Sequence, residues 1–418
     1  MKIKTILFII TISFLLYSAT AYCNDNSTIK WIKPNPYVNI GHVSTSTVTT
    51  DNRYLVTGNG TLLTCWDLLN VKLAFQLKGH TKDIRRLIIS ADNKYALSGD
   101  EAGVLKIWDI INGKEIKTIN AHDNPILIIN LSNDNRYIMT ESYVGSIKLW
   151  DFQTGKELHQ FKGQRQTIST LSQDGKRVIG QDENGNIIVW NSLRGDIIKK
   201  IKIPNEKYRI TLFSSDGHYA IIEREDSSFY PELWDIDIGK KIRTFNFKEY
   251  DENNISFMML WGTFSADNKK ILSILINGRR YVLWDIAMDQ PILVFSNSLV
   301  DGVISTAFSK DSEYIVSGCG DKTARLWDTT TGKELLRLIS FEDGEWLIIT
   351  PEGYYNASKK ADEHMIVTYS DFAKCSLNNY RETFFRPDLV KDALTGKSLK
   401  VYKKISDVPI PKKCRIGN

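Results

Sequence analysis

The chain is poor in the residues that usually announce chemistry. Its 418 residues hold only six histidines and five cysteines. No two cysteines form a Cys-x-x-Cys pair, so a structural zinc site finds no support. No His-Glu-x-x-His, Gly-x-Ser-x-Gly or phosphate-cradling glycine loop occurs, which leaves out the patterns of the zinc peptidases, the serine hydrolases and the P-loop enzymes. An excess of one charge is also missing: 54 Lys and Arg face 49 Asp and Glu. Without Lys2 and Lys4 the balance falls from +5 to +3, too small and too dispersed for a nucleic-acid partner. Proline is scarce, with 10 residues, and the charges are mixed, so no long tract reads as disordered. Gly318-Cys319-Gly320 imitates a nucleophile elbow. It ends an apolar strand pattern, as Ser98-Gly99 does, and is read as structural. The expectation is a chain that is not an enzyme and that uses no metal and no cofactor.

Long apolar runs are absent except at the start. Residues 1–21 read as a signal peptide: basic Lys2 and Lys4, the uncharged stretch Ile6–Tyr17, and small residues at Ala19-Thr20-Ala21. The stretch is short for a bilayer span. Cleavage predicts an exported chain, periplasmic or secreted, and an uncleaved leader would instead anchor it in the membrane. A lipid on Cys23 is disfavoured because bulky Tyr22 precedes it. In an oxidising compartment a pair such as Cys375–Cys414 could close. Cys65 and Cys319 lie within apolar strand patterns and are expected to be buried thiols.

What is present in abundance is repetition. Trp-Asp recurs at Trp66, Trp108, Trp150, Trp234, Trp284 and Trp327, with Trp190-Asn191 filling the gap, at intervals of 40 to 50 residues. A second series, Asp51, Asp92, Asp134, Asp174, Asp216, Asp267 and Asp311, runs 15 to 18 residues ahead. Six of these have Ser two places before, and Thr49 stands in the first unit. Each unit reads as four short strands joined by an Asp-containing turn, a second turn and a Gly-Lys turn. A lone four-stranded sheet of this size cannot bury both faces; stacking such sheets around an axis does. The fold class is all-β, a seven-bladed propeller over residues 29–339, with an extension over 340–396 and a flexible tail over 397–418. Ring closure has two solutions: Ile29–Pro34 supplies the outer strand of the last blade, or Lys333–Ile339 does.

These repeats resemble the WD-repeat family, including its Gly-His element at Gly41-His42 and Gly79-His80, with Ala121-His122 as a variant. The resemblance implies that the histidine, a strand-two Ser or Thr, the Trp and a turn Asp form a buried hydrogen-bonded chain. His42, His80, His122 and Asp321 are thereby structural. Unit seven keeps Ser317, Asp321 and Trp327 without the Gly-His, and in unit two Ala102 falls where the turn Asp belongs. The blocks Phe341–Ser358 and Tyr380–Gly396 resemble the segment after the propeller in bacterial WD-repeat proteins that often continue into a caspase-like peptidase domain. The motifs of that domain are absent here, so a non-catalytic remnant or partner subunit of such a system is one alternative, and a propeller enzyme a remoter one.

The expected function is a protein–protein interaction scaffold, with no nucleic acid, no small-molecule substrate, and a membrane only through an uncleaved leader. Two surfaces are candidates. Asp100, Glu101, Tyr143, Asp182 and Glu183 fall in turns between second and third strands, hence on one rim. Tyr354, Tyr355, Arg381, Phe384, Phe385 and Arg386 belong to the extension, which is either a hairpin and short helix packed on the propeller's flank or a docking surface for a partner, since aromatics and Arg anchor interfaces.

Overall fold

The computed structural model describes residues 29–34, 43–162, 168–182, 184–203, 208–224, 231–245, 259–275, 280–288, 291–296, 303–369, 374–395, 404–408 and 414. The leader, His42 and Glu183 lie outside the described residues.

Alternation of β-branched residues with turn chemistry produces seven antiparallel meanders, each with its four repeat strands in chain order. Blade two shows the unit: Ile84–Ile89, Tyr95–Asp100, Val104–Asp109 and Lys114–Asn120. The first turn of each blade carries the repeating Ser and Asp. In blade two Ser90 Oγ donates to Asp92 at 2.6 Å and accepts from the Tyr95 amide at 2.9 Å. The residue after the Asp turns left-handed, with φ near +60° at Asn52, Asn93, Asn135 and Asn268, where Asn is among the few side chains tolerated. These asparagines also stitch the ring together. Asn93 accepts from the Thr50 amide of blade one at 2.7 Å, and Asn268 donates to Asp216 of blade five at 2.7 Å.

In blade two the second and third strands are buried and the fourth exposed, and the first strands of neighbouring blades meet towards the axis. Apolar side chains of successive blades meet between the sheets, as where Val56 and Leu63 of blade one pack with Ala96 and Trp108 of blade two. In blades one, two and seven, close approach at the end of the second strand requires glycine. A Cβ on Gly99 would sit 2.8 Å from Ile126 of the next blade, and one on Gly58 2.8 Å from Thr45.

The ring closes by the second of the two solutions. Glu334–Ser340 is the fourth strand of blade seven. Ser46 and Ser305 then hydrogen-bond at 3.2 Å where blades one and seven meet. Ile29–Pro34 is no part of the propeller, which corrects its expected boundary. That strand pairs with Met365–Tyr369 in a three-stranded sheet completed by Lys374–Ser376.

The extension is the hairpin and helix of the flank reading. Trp346–Ile349 and Tyr355–Ala357 extend blade seven to six strands, and the helix Pro387–Leu394 follows. Its aromatics join one core with blades one and seven: Tyr354 packs on Phe384 with ring centroids 5.5 Å apart, and Tyr380 on Phe384 at 6.3 Å. The flexible tail is corrected at two points. Ile405 is buried with its amide bonded to the Glu352 carbonyl at 3.0 Å, and Cys414 is disulfide-bonded to Cys375.

Candidate interaction surfaces

The repeat's tryptophans are interior. Trp66, Trp108 and Trp284 are each 1 % exposed. In blade two a complete polar chain surrounds the indole. Trp108 Nε1 donates to Ser98 Oγ at 2.7 Å, Ser98 Oγ lies 2.6 Å from His80 Nε2, and His80 Nδ1 lies 2.8 Å from Asp100. An indole N–H can only donate, so the serine hydroxyl is left to donate to Nε2, and the network assigns the His80 proton to Nδ1. Burial holds His80 below its ordinary pKa against the pull of Asp100, consistent with this neutral ring. Asp100 also accepts from the Ala102 and Val104 amides, both at 2.9 Å.

Asp100 is fully buried. The reading of Asp100 as a rim contact is therefore corrected: it is the turn aspartate of the chain, displaced two positions from Ala102. Blade three keeps part of the pattern. Trp150 donates to Thr140 at 2.9 Å and His122 Nε2 lies 2.8 Å from the same hydroxyl, burial pushing the His122 pKa down to about 4. Blade seven substitutes an ion pair: Asp321 binds Arg325, which is fully buried and also reaches Glu334 at 3.3 Å. Trp234 takes Glu232 as its acceptor at 2.9 Å. For Trp190, packed against Phe161, the equivalent strand-two position is Gly180.

Cys319 is buried, and burial pushes its thiol up to about 12. The structural reading of Gly318-Cys319-Gly320 agrees with its surroundings, since a Cβ on Gly318 would meet Ser305 at 2.6 Å. Blades three to six depart from this glycine position, blade six with Ile274. Glu141, Gln181 and Glu223 replace it and are buried. Ser169 of blade four donates to Glu141 at 2.6 Å, yet burial drives that carboxyl up to about 8. Gln181 donates to the Tyr208 carbonyl of blade five at 3.2 Å.

Two ring faces remain. On the rim of the second turns, Glu101 pairs with Arg85, Tyr143 is 37 % exposed beside Val144, and Asp182 pairs with Lys200 at 2.8 Å. Burial raises the Asp182 pKa, but Lys200 and the Asn186 and Asn184 amides together hold it below the ordinary value. These three turns belong to blades two, three and four, which are neighbours in the ring. The opposite face carries a feature that sequence reasoning missed. Leu69, Ile111, Leu193, Ile238 and Met288, each more than half exposed, cap five of the seven third turns. The signal was an apolar residue two or three places after the Asp or Asn in five of the seven repeats.

The extension offers less surface than its composition suggests. Tyr354, Tyr355 and Phe384 are buried, so their assignment to a docking surface is corrected. They fill the core that the extension shares with blades one and seven. Arg381 stacks on Phe385 at 4.4 Å and pairs with Asp362 at 2.5 Å, while Arg386 pairs with Asp388 at 2.6 Å.

The family model described as "WD domain, G-beta repeat" matches residues 71–109, 113–151 and 290–328. The chain is similar to a guanine nucleotide-binding protein subunit beta of Arabidopsis thaliana, 25 % identical over 241 residues, covering 55 % of this chain and 56 % of the relative. A subunit of the same name from Nicotiana plumbaginifolia is 27 % identical over 182 residues, covering 40 % of this chain and 46 % of the relative. The chain thus spans about half the length of the curated relatives it matches. Three repeats matched by that family model are set in a ring of seven meanders whose tryptophans hold the same interior position, and the chain folds as a seven-bladed β-propeller that carries WD repeats.

Proposed function

We propose that the chain is an exported scaffold that holds a protein partner on the rim of its second turns. The carrying observation is the run Glu101, Tyr143 and Asp182 on three adjacent blades, with an aromatic and an aliphatic side chain exposed between two acidic neighbours. Such a patch fits a partner face with an apolar centre and basic surroundings. Its relatives are named as subunits, parts of an assembly, which agrees with a binding role. Export draws support from the leader and from the Cys375–Cys414 bond, since disulfides persist mainly in oxidising compartments.

The test is affinity capture from the exported fraction of the native cell, with the chain from Tyr22 and three variants. Tyr143→Ala combined with Glu101→Lys should reduce capture at least tenfold with an unchanged melting curve. Leu69→Ser with Ile111→Ser, on the opposite face, should leave it intact. The reverse pattern would move the site to the other face. Loss with Phe385→Ala alone, at an unchanged melting curve, would move it to the extension.

A further inference from the structure

Blade seven shows what an outer edge of this ring accepts. Its fourth strand is not an edge, because Trp346–Ile349 pairs with it antiparallel, Arg337 opposite Ile349 and Ser340 opposite Trp346. The other six meanders end at their fourth strands among the described residues. An outer strand presents a row of backbone N–H and C=O groups to any chain that can lie alongside, and proteins protect such edges with charge, proline or cover.

The six edges are not equally protected. The hairpin lies beside blade one, where Asn356 donates to the Val71 carbonyl at 2.8 Å and Trp346 meets Trp66 at 6.5 Å. In blades two and three the fourth strand carries a glutamate paired to a lysine of the third, Lys106–Glu115 and Lys148–Glu157, both at 2.9 Å. Blade five begins with two lysines, and blade six begins with Pro291. Blade four differs. Ile197 and Ile198 are 58 % and 52 % exposed at the start of the strand, where a register shift leaves Ile198 without a partner on the third strand. Three lysines and no acidic residue follow them up to Lys202.

We propose that the outer edge of blade four, Ile197–Ile201, takes an extended segment of a protein partner as a fifth strand. Apolar side chains of that segment lie over Ile197 and Ile198, and its carboxylates face Lys202 and share Lys200 with Asp182. The site uses the backbone of an edge rather than the side chains of turns, and it meets the rim only at Lys200, the partner of Asp182. Lys199 anchors the strand for this purpose by donating to the Ile236 carbonyl of blade five at 3.1 Å. Charge selects the occupant. Antiparallel pairing of this edge with a second copy, centred on Lys199, sets Lys199 against Lys199 and Ile198 against Lys200, and like charges directly opposite are destabilising. An acidic and apolar strand has neither fault, and main-chain bonds supply affinity while alternate side chains supply specificity.

The probe is a seven-residue peptide of alternating valine and glutamate, capped at both ends, titrated into the full chain by calorimetry. It should bind at least tenfold more tightly than the valine–lysine counterpart. N-methylation of every second amide should abolish binding in one of the two phases and spare it in the other. Hydrogen exchange should slow at residues 197–202 and at no other edge. Lys202→Glu and, separately, Ile197→Asp should each weaken binding at least fivefold without moving the melting curve. No binding at millimolar peptide, equal binding of the lysine counterpart, indifference to both methylation phases, or protection confined to another blade would each overturn the proposal. None of these outcomes depends on the rim variants, so the two sites fail or stand separately.

Discussion

Replacing Asp100 by Ala tests the assignment that most separates structure from sequence expectation. Asp100 takes three hydrogen bonds, from His80 at 2.8 Å and from the Ala102 and Val104 amides at 2.9 Å each. Its side chain and that of His80 are 1 % and 0 % exposed, so water does not readily replace the lost acceptor. Removing one partner of a buried hydrogen bond costs about 1–3 kcal/mol. The imidazole N–H bears the full penalty, and the two turn amides, nearer solvent, bear part of it. The expected loss for Asp100→Ala is therefore about 3–5 kcal/mol, among the larger effects of any single substitution. Asp100→Asn keeps an acceptor of the same shape and should lose about 1–2 kcal/mol. Glu101→Ala, one residue on and half-exposed, should change stability by less than about 0.5 kcal/mol. Urea unfolding followed by tryptophan fluorescence gives the totals. Native-state hydrogen exchange at Leu97 and Ile107 reports whether blade two opens locally, as a repeat architecture permits. A loss below about 1 kcal/mol for Asp100→Ala would refute the reasoning on buried hydrogen bonds. Loss of partner capture at unchanged stability would return Asp100 to the rim.

Other predictions follow from the same geometry. Glu141 has a folded pKa of about 8, above its unfolded value, so the folded form holds a proton that the unfolded chain releases. The contribution of this group is fully present below the unfolded pKa of about 4.5 and is lost as pH rises towards 8. Glu141→Gln should therefore melt higher than the parent at pH 8 and nearly equal to it at pH 4; equal melting at both would refute this. Arg325→Met leaves Asp321 and Glu334 without their buried cation and should cost about 3–5 kcal/mol in urea unfolding, while adding Glu334→Leu should recover part of that loss. Phe384→Ala, emptying a fully buried ring from the extension, should cost about 3–5 kcal/mol and speed hydrogen exchange in residues 346–357 while sparing blade three. Cys375→Ser opens a loop of 39 residues, for which loop-closure entropy gives about 4 kcal/mol, and a reducing agent should reproduce its effect on the parent chain.

The ring itself was legible because its determinants are local and repeated. A Trp-Asp at the end of a third strand, an Asp-containing turn and a Gly-Lys turn specify one meander through backbone preference alone, and seven copies leave one way to bury both faces of each sheet. His80 and His122 were placed beside their hydroxyl partners by the resemblance, and the buried thiols and the Cys375–Cys414 pair were among the expectations. Deciding which carboxylate closes the chain of blade two was beyond the repeat pattern, since Asp100 and Ala102 differ by two positions and only the path of the turn shows which one faces His80.

The tail shows the same limit at larger scale. Tyr354, Tyr355 and Phe384 read as anchors for a partner because aromatic composition is the same in an interface and in a core. Only the packing of hairpin against helix turns them inward. The destination of Ile29–Pro34 depends on a pairing more than 300 residues apart, to which local patterning is blind. Sequence alone determined the meander, its count and its turns, because each is a short-range property of strands and turn residues. Tertiary structure decided which polar groups are interior, which edges are covered and what faces the solvent, because burial belongs to the neighbours a residue acquires and not to the residue itself.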